Sequence, residues 1–104
     1  MVYIVHRYRA KTNRVVDGDT VDFEVDLGFH ISINIRTRLL GVNTPERGRK
    51  DFSRATVMLK DLLSDASDDE GYIIIKTEKT GKYGRWLVSI DGVNEALSEV
   101  WPYE

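Results

Sequence analysis

Three short stretches hold the side chains capable of chemistry. The first is Asp17-Gly18-Asp19-Thr20, two carboxylates flanking a glycine at the mouth of a strand. Asp and Gly favour turns on their own account, and the same pair suits a hard cation, toward which one carboxylate would point off the sheet. The second runs from Arg38 to Glu46, with the sequence RLLGVNTPE. Arg38 falls on the exposed face of a strand, where an isolated arginine commonly does no more than solubilise. Asn43, Thr44 and Glu46 gather at the end of that strand beside the rigid Pro45, which places oxygen ligands and a carboxylate base on a constrained backbone. The third is Lys82-Tyr83-Gly84-Arg85, where Gly84 permits close backbone approach while Lys82 and Tyr83 suit a phosphate and a base ring. Each stretch also reads as an ordinary polar turn or loop when taken alone.

The elements that must position these groups follow from periodicity. Residues 2–9 (VYIVHRYR) are rich in β-branched and aromatic types and predict a strand, interrupted afterwards by Asn13 and Asp17-Gly18. Residues 20–26 alternate cleanly, with Val21, Phe23 and Val25 on one face and Asp22, Glu24 and Asp26 on the other. Gly28 marks a turn, and residues 31–42 alternate again, with Ile31, Ile33 and Ile35 inward and Arg36 and Arg38 outward, completing a hairpin. Pro45 ends this strand, and residues 43–50 are a polar loop. From Asp51 the period changes: Phe52, Ala55, Leu59, Leu62 and Leu63 predict a helix over 51–66 with Asp51 as N-cap, closed by Asp68-Asp69-Glu70 and Gly71. Tyr72–Lys76 is a nearly all-apolar, central strand, residues 80–84 a loop, and residues 85–90 a fifth strand. Val93, Ala96, Leu97 and Val100 form a short helix stopped by Trp101-Pro102. Five strands with a helix between the third and fourth predict a β-barrel with α-helices of OB type, an α+β fold in other schemes.

Composition narrows the chemistry. The 104 residues and 11.9 kDa predict a single domain spanning 1–104. The absence of cysteine removes disulfides, thiol nucleophiles and thiolate metal sites, and two histidines, His6 and His30, are too few for a histidine-rich zinc site. Any metal is therefore a hard cation held by oxygen. There is no apolar run near the roughly 18 residues of a membrane span and no apolar leader segment, so the expectation is a cytoplasmic protein with no membrane partner. The net charge of −2 argues against a polyanion-binding protein until it is divided along the chain. Residues 1–16 hold four bases and no acid, 17–33 five acids and no base, 34–54 six bases and two acids, and 72–85 four bases and one acid. The small total thus conceals alternating blocks, which are either ordinary solvated faces or a basic third strand and 79–85 loop converging on one phosphate-binding face beside acids suited to a metal.

Taken together and in order, DGDT, RLLGVNTPE, KYGR and VNEAL resemble the staphylococcal (micrococcal) nuclease family, over a stretch from Arg14 to Leu97. The resemblance implies a five-stranded OB-type barrel and a calcium-dependent phosphodiesterase acting on DNA and RNA with little sequence preference, leaving 3′-phosphate and 5′-hydroxyl ends. It implies that Asp19 is a calcium ligand and that Thr44 ligates through its backbone carbonyl. Arg38 and Arg85 would grip the scissile phosphate, Glu46 would orient or deprotonate the attacking water, and Tyr83, with Lys82, would border the nucleotide. The types fit: two guanidinium forks can hold phosphate oxygens bidentately as the transition state gains charge.

The chain departs from that family in two places. Asn43 stands where many members carry an aspartate that binds calcium; its amide oxygen still coordinates but brings no charge, so calcium binding is expected to be weaker. Asp17, in the same turn, partly compensates. The alternative is a weak or inactive nucleic-acid-binding module of the same fold. The chain also stops at Glu104, so a third, C-terminal helix is lacking, and a barrel of this size gains from dimerisation; monomer and weak dimer both remain open. Trp101 and Tyr103 either cap the core or face a dimer contact.

Overall fold

The computed structural model describes residues 6–79 and 86–103. Five strands, β1 (His6–Asp17), β2 (Thr20–Asp26), β3 (Ser32–Leu39), β4 (Tyr72–Lys79) and β5 (Trp86–Ser89), close into a barrel in the order β1-β2-β3-β5-β4. Helix α1 (Phe52–Ala66) connects β3 to β4, and α2 (Val93–Val100) follows β5. All neighbouring strands are antiparallel except β3 and β5, which pair in parallel from Thr37↔Trp86 to Leu39↔Val88. The arrangement is compatible with an OB-type barrel carrying helices. No described helix is long and apolar enough to cross a membrane.

The alternation of β2 sends Val21, Phe23 and Val25 into the core, where they meet Ala10, Leu39, Ile73, Ile75 and Val88. Helix α1 adds Leu59 and Leu63, and α2 adds Val93 and Leu97. Each such large side chain contributes about 1.5–3 kcal/mol through burial. Along α1, Ala55, Leu59 and Leu63 recur every fourth residue, so one stripe is buried while Lys60 and Ser64 face water.

Several expectations need correction. The first strand does not end at Arg9; it runs to Asp17, and a register shift between Thr12 and Arg14 absorbs Asn13, expected as an interruption, as an irregularity in the ladder. Residues 2–5 of the expected strand lie outside the described residues. Asp51 precedes α1 in a left-handed conformation (φ 67°) with no side-chain cap bond, so it starts the helix by backbone geometry alone. The YIIIK segment is apolar but not buried on both faces: Ile73 and Ile75 are buried, while Ile74 is 56% exposed. Ile31 and Ile33 are likewise exposed. Ile33 keeps the inward phase of Ile35, Thr37 and Leu39, but it stands at the end of the barrel away from α1. There it lines an apolar mouth of about 150 Å³ with Tyr8, Val25, Leu27 and Trp86.

Asn94 holds the second helix to the barrel. Its side chain is buried, accepts the Ile90 N–H (2.9 Å) and donates to the carbonyls of Leu40 (2.8 Å) and Val88 (3.1 Å). One amide thus satisfies three main-chain groups from two segments, the end of β5 and the exit of β3. At the same helix end, Glu95 accepts the Gly92 N–H at 2.8 Å. Replacing Asn94→Ala strands those groups and should lower the unfolding free energy by about 2–3 kcal/mol in urea denaturation. A loss below about 0.5 kcal/mol would show that the segments are held together by other contacts.

Candidate functional site

The antiparallel register of β2 and β3 pairs Thr20 with Arg38 at one end and Asp26 with Ser32 at the other. The ladder continues one step beyond β2, where the Leu39 N–H donates to the Asp19 carbonyl at 2.8 Å. The β1–β2 turn and the exit of β3 are thereby locked side by side. A cleft of about 170 Å³ lies there, lined by Asp17, Asp19, Thr20, Arg38, Asn43, Thr44, Pro45 and Glu46. Residues from two sequence stretches some twenty positions apart therefore share one cleft.

Gly18 makes this proximity possible. A Cβ at position 18 would lie 2.7 Å from the Ala55 Cβ and 2.7 Å from the Thr44 Oγ1, so only a glycine lets the turn rest against α1 and the loop after β3. The turn is further shaped by the Asp17 carboxylate, which accepts the Asp19 N–H at 3.1 Å. Asp19 is 8% exposed. Its carboxylate accepts the Thr44 N–H (3.2 Å) and the Thr20 hydroxyl (3.2 Å), and lies 3.6 Å from the Arg38 guanidinium. Burial pushes the Asp19 carboxyl up to about 6, and a hydrogen bond to Asp17 together with the charge of Asp17 adds to the rise; Arg38 and the Thr44 N–H pull the other way without cancelling it.

Arg38 also donates to the Asn43 Oδ1 at 3.3 Å and stands 5.7 Å from the centre of the Tyr103 ring. Asn43 in turn is held through its backbone, whose N–H donates to the Trp101 carbonyl at 2.9 Å. The Tyr103 N–H donates to the Gly41 carbonyl at 3.1 Å, and Val42 bridges to Pro102. The segment after α2 is thus a strap over residues 41–43. Trp101 packs on the core and Tyr103 is 63% exposed, so the first of these aromatics caps the core and the second does not. Glu46 is exposed at the rim; its carboxylate has no hydrogen-bond or ion-pair partner among the described residues, while its carbonyl accepts the Arg49 N–H at 2.9 Å.

Asp19, Arg38, Asn43, Thr44 and Glu46 therefore come together. Arg85, Lys82 and Tyr83 lie outside the described residues, as does most of the basic 79–85 loop. Arg36 of the basic third strand does not join the cleft, because its guanidinium is engaged by Asp22 across the ladder at 2.8 and 3.1 Å. Asp17, expected to compensate beside Asp19, lines the cleft; Thr20, part of the same motif but with no expected role, lines it as well, and the parts of Trp101 and Tyr103 in holding it have no signal in local sequence.

The donor set is entirely oxygen: the carboxylates of Asp17 and Asp19, the Asn43 amide and the Thr44 carbonyl. This chemistry fits a hard cation, and a second sign is the strain on Asp19, whose charged form is disfavoured by burial and by Asp17. The buried Thr44 Oγ1, which has no hydrogen-bond partner among the described residues, lies in the same loop. No group of three or more carboxylate, imidazole or thiol side chains converges among the described residues, so the charge available to a cation is modest. Neither a protein-family model nor a curated protein matches the chain.

The raised Asp19 carboxyl has a definite effect on stability. Below the ordinary carboxylate value of 3.8 it is protonated in both folded and unfolded chains; above about 6 it is ionised in both, and only the folded chain bears the cost. Stability should therefore fall as pH rises through this window. Asp19→Asn keeps an acceptor for Thr44 and sets an amide N–H toward Asp17. In chelator, it should be more stable than the parent by about 1–2 kcal/mol at pH 8, with the advantage gone near pH 3.5. Urea denaturation of both proteins across that range measures the difference, and parallel pH curves would rule out the assigned cost.

Proposed function

We propose that this chain is a small calcium-assisted phosphodiesterase of the staphylococcal nuclease family, hydrolysing DNA or RNA with little sequence preference and leaving 3′-phosphate and 5′-hydroxyl ends. The observation that carries this reading is the convergence of Asp19, Arg38, Asn43, Thr44 and Glu46 in one solvent-open cleft. In it, Arg38 binds the non-bridging oxygens of a phosphodiester and meets the charge that grows on them as a nucleophile adds. Glu46, exposed and unengaged, accepts a proton from water at its carboxylate. Asp17, Asp19, the Asn43 amide and the Thr44 carbonyl would hold the calcium ion. Bound calcium supplies charge neutralisation and substrate orientation. Arg85 contributes the second guanidinium, and Lys82 and Tyr83 border the nucleotide, on the strength of the KYGR resemblance.

A second reading, a nucleic-acid-binding module with little or no turnover, is favoured by one specific contact: the Asn43 Oδ1 is bonded to Arg38 and contributes no charge. Incubation with single-stranded DNA, with calcium or with chelator, separates the two. Calcium-dependent cleavage at neutral to alkaline pH supports the enzyme, and salt-dependent binding without cleavage supports the module. If cleavage is found, Arg38→Ala should slow it by about 10²–10³-fold with an unchanged circular-dichroism spectrum; turnover near the parent's would remove Arg38 from the mechanism. Asn43→Asp, by restoring a charged ligand, should tighten calcium binding by about tenfold in a calorimetric titration. An unchanged titration would take residue 43 out of the cation site.

A further inference from the structure

The connection from the cleft to α1 has a property that neither the cation site nor the phosphate site uses. Arg47, Arg49, Lys50 and Arg54 are all exposed, and none of the four has an ion-pair partner among the described residues. Arg9, Arg36 and Lys76 are matched by a carboxylate within about 3.1 Å; what sets these four apart from other cations without an ion pair among the described residues, such as Lys11 and Lys60, is that they crowd into eight consecutive positions beside the cleft. The segment also contains Glu46 and Asp51, yet neither neutralises these cations.

The cluster is continuous with the cleft. Glu46 lines the cleft, and its carbonyl accepts the Arg49 N–H at 2.9 Å; the Arg49 carbonyl accepts the Phe52 N–H at 3.3 Å. Two successive turns therefore carry the cations directly from the rim to the first turn of α1. On the other flank, the Arg54 guanidinium stands 5.5 Å from the Trp101 ring, and the Trp101 carbonyl holds Asn43 of the cleft. Arg47 stands 5.3 Å from the Phe52 ring. Arginines steadied against aromatic faces are ordered without being neutralised.

Resting on the reading of the cleft as a phosphodiester site, we propose that Arg47, Arg49, Lys50 and Arg54 form a track for the backbone of a single-stranded nucleic acid, so that the protein grips several phosphates beyond the one held at Arg38. Three of the four are arginines, whose planar forks match phosphate oxygens. The exposed apolar residues that follow one another, Leu27, Phe29, Ile31 and Ile33, sit at the far end of β2 and β3 from Arg38, and those nearer to it, Leu40, Val57 and Tyr103, are spread over three separate elements, so a lipid surface suits the track less well than a phosphate backbone does.

Binding of a fluorescent twelve-nucleotide single strand is followed by anisotropy across a salt series, in chelator so that nothing is cut. The wild type is compared with R47Q/R49Q/K50Q/R54Q. Removal of four phosphate contacts should reduce the slope of log affinity against log salt by about 3 and weaken binding at low salt by at least about tenfold. Affinity for a nucleoside 3′,5′-bisphosphate, which reports the cleft alone and is titrated with calcium present, should stay within about twofold. The double variant R47Q/R49Q leaves the Arg54–Trp101 contact intact and should lose about half of the slope; it serves if the fourfold variant does not fold. An unchanged slope in a folded variant overturns the proposal, as does a wild type that fails to bind the strand or that binds anionic phosphatidylglycerol vesicles more tightly. If the strand binds through the track but the bisphosphate does not bind at all, the track stands and the reading of the cleft falls.

Discussion

The end of the barrel that matters is organised around one carboxylate that would be more stable without its charge. Asp19 uses its main chain to extend the β2–β3 ladder to Leu39, and its side chain to receive Thr44, Thr20 and the field of Arg38. Two loops and a strand end are held in register by this residue. The cost is that a partly buried carboxylate beside Asp17 is harder to ionise than one in water. A neighbouring positive charge offsets such a cost, and Arg38 at 3.6 Å offsets part of it here.

The surroundings keep that arrangement rigid. Gly18 brings the turn against Ala55 of α1, and any side chain there would push the turn away from the loop it faces. Asn94 ties α2 to the exit of β3 at Leu40, and the strap from Trp101 to Tyr103 presses on residues 41–43. The Arg38 guanidinium is thus bounded by Asp19, Asn43 and Tyr103. Helices and barrel act together because their hydrogen bonds cross at the same few main-chain groups, a form of support that does not depend on a large core.

Local sequence was a sound guide wherever a side chain's fate depended on near neighbours. The strict alternation of Val21, Phe23 and Val25 and the four-residue recurrence of Ala55, Leu59 and Leu63 correspond directly to buried faces. The guide failed where burial depended on what lies across a gap. Ile33 has the inward phase, yet it is exposed because the barrel mouth has no covering element among the described residues. Ile74 sits in an apolar run but is exposed, because its neighbours Ile73 and Ile75 take the inward phase of β4. Asn13 looked like an interruption, and the pairing partner β2 simply tolerates it as a shift of register.

By itself, the sequence determined the inventory: oxygen ligands without sulfur, arginines in strand and loop, a glycine between two aspartates, and strand and helix periods that add up to a five-stranded barrel with two helices. Which members of that inventory meet was decided only by the tertiary structure. Arg36 and Arg38 are two residues apart on one strand face, yet one is neutralised by Asp22 across the ladder and the other stands in the cleft. The Asp19 carboxylate of the β1–β2 turn reaches Thr44 only because β3 returns beside β2 and α1 receives Gly18. Periodicity is a property of a few consecutive residues, whereas desolvation and charge pairing depend on distances between segments, and these exist only once the barrel has closed.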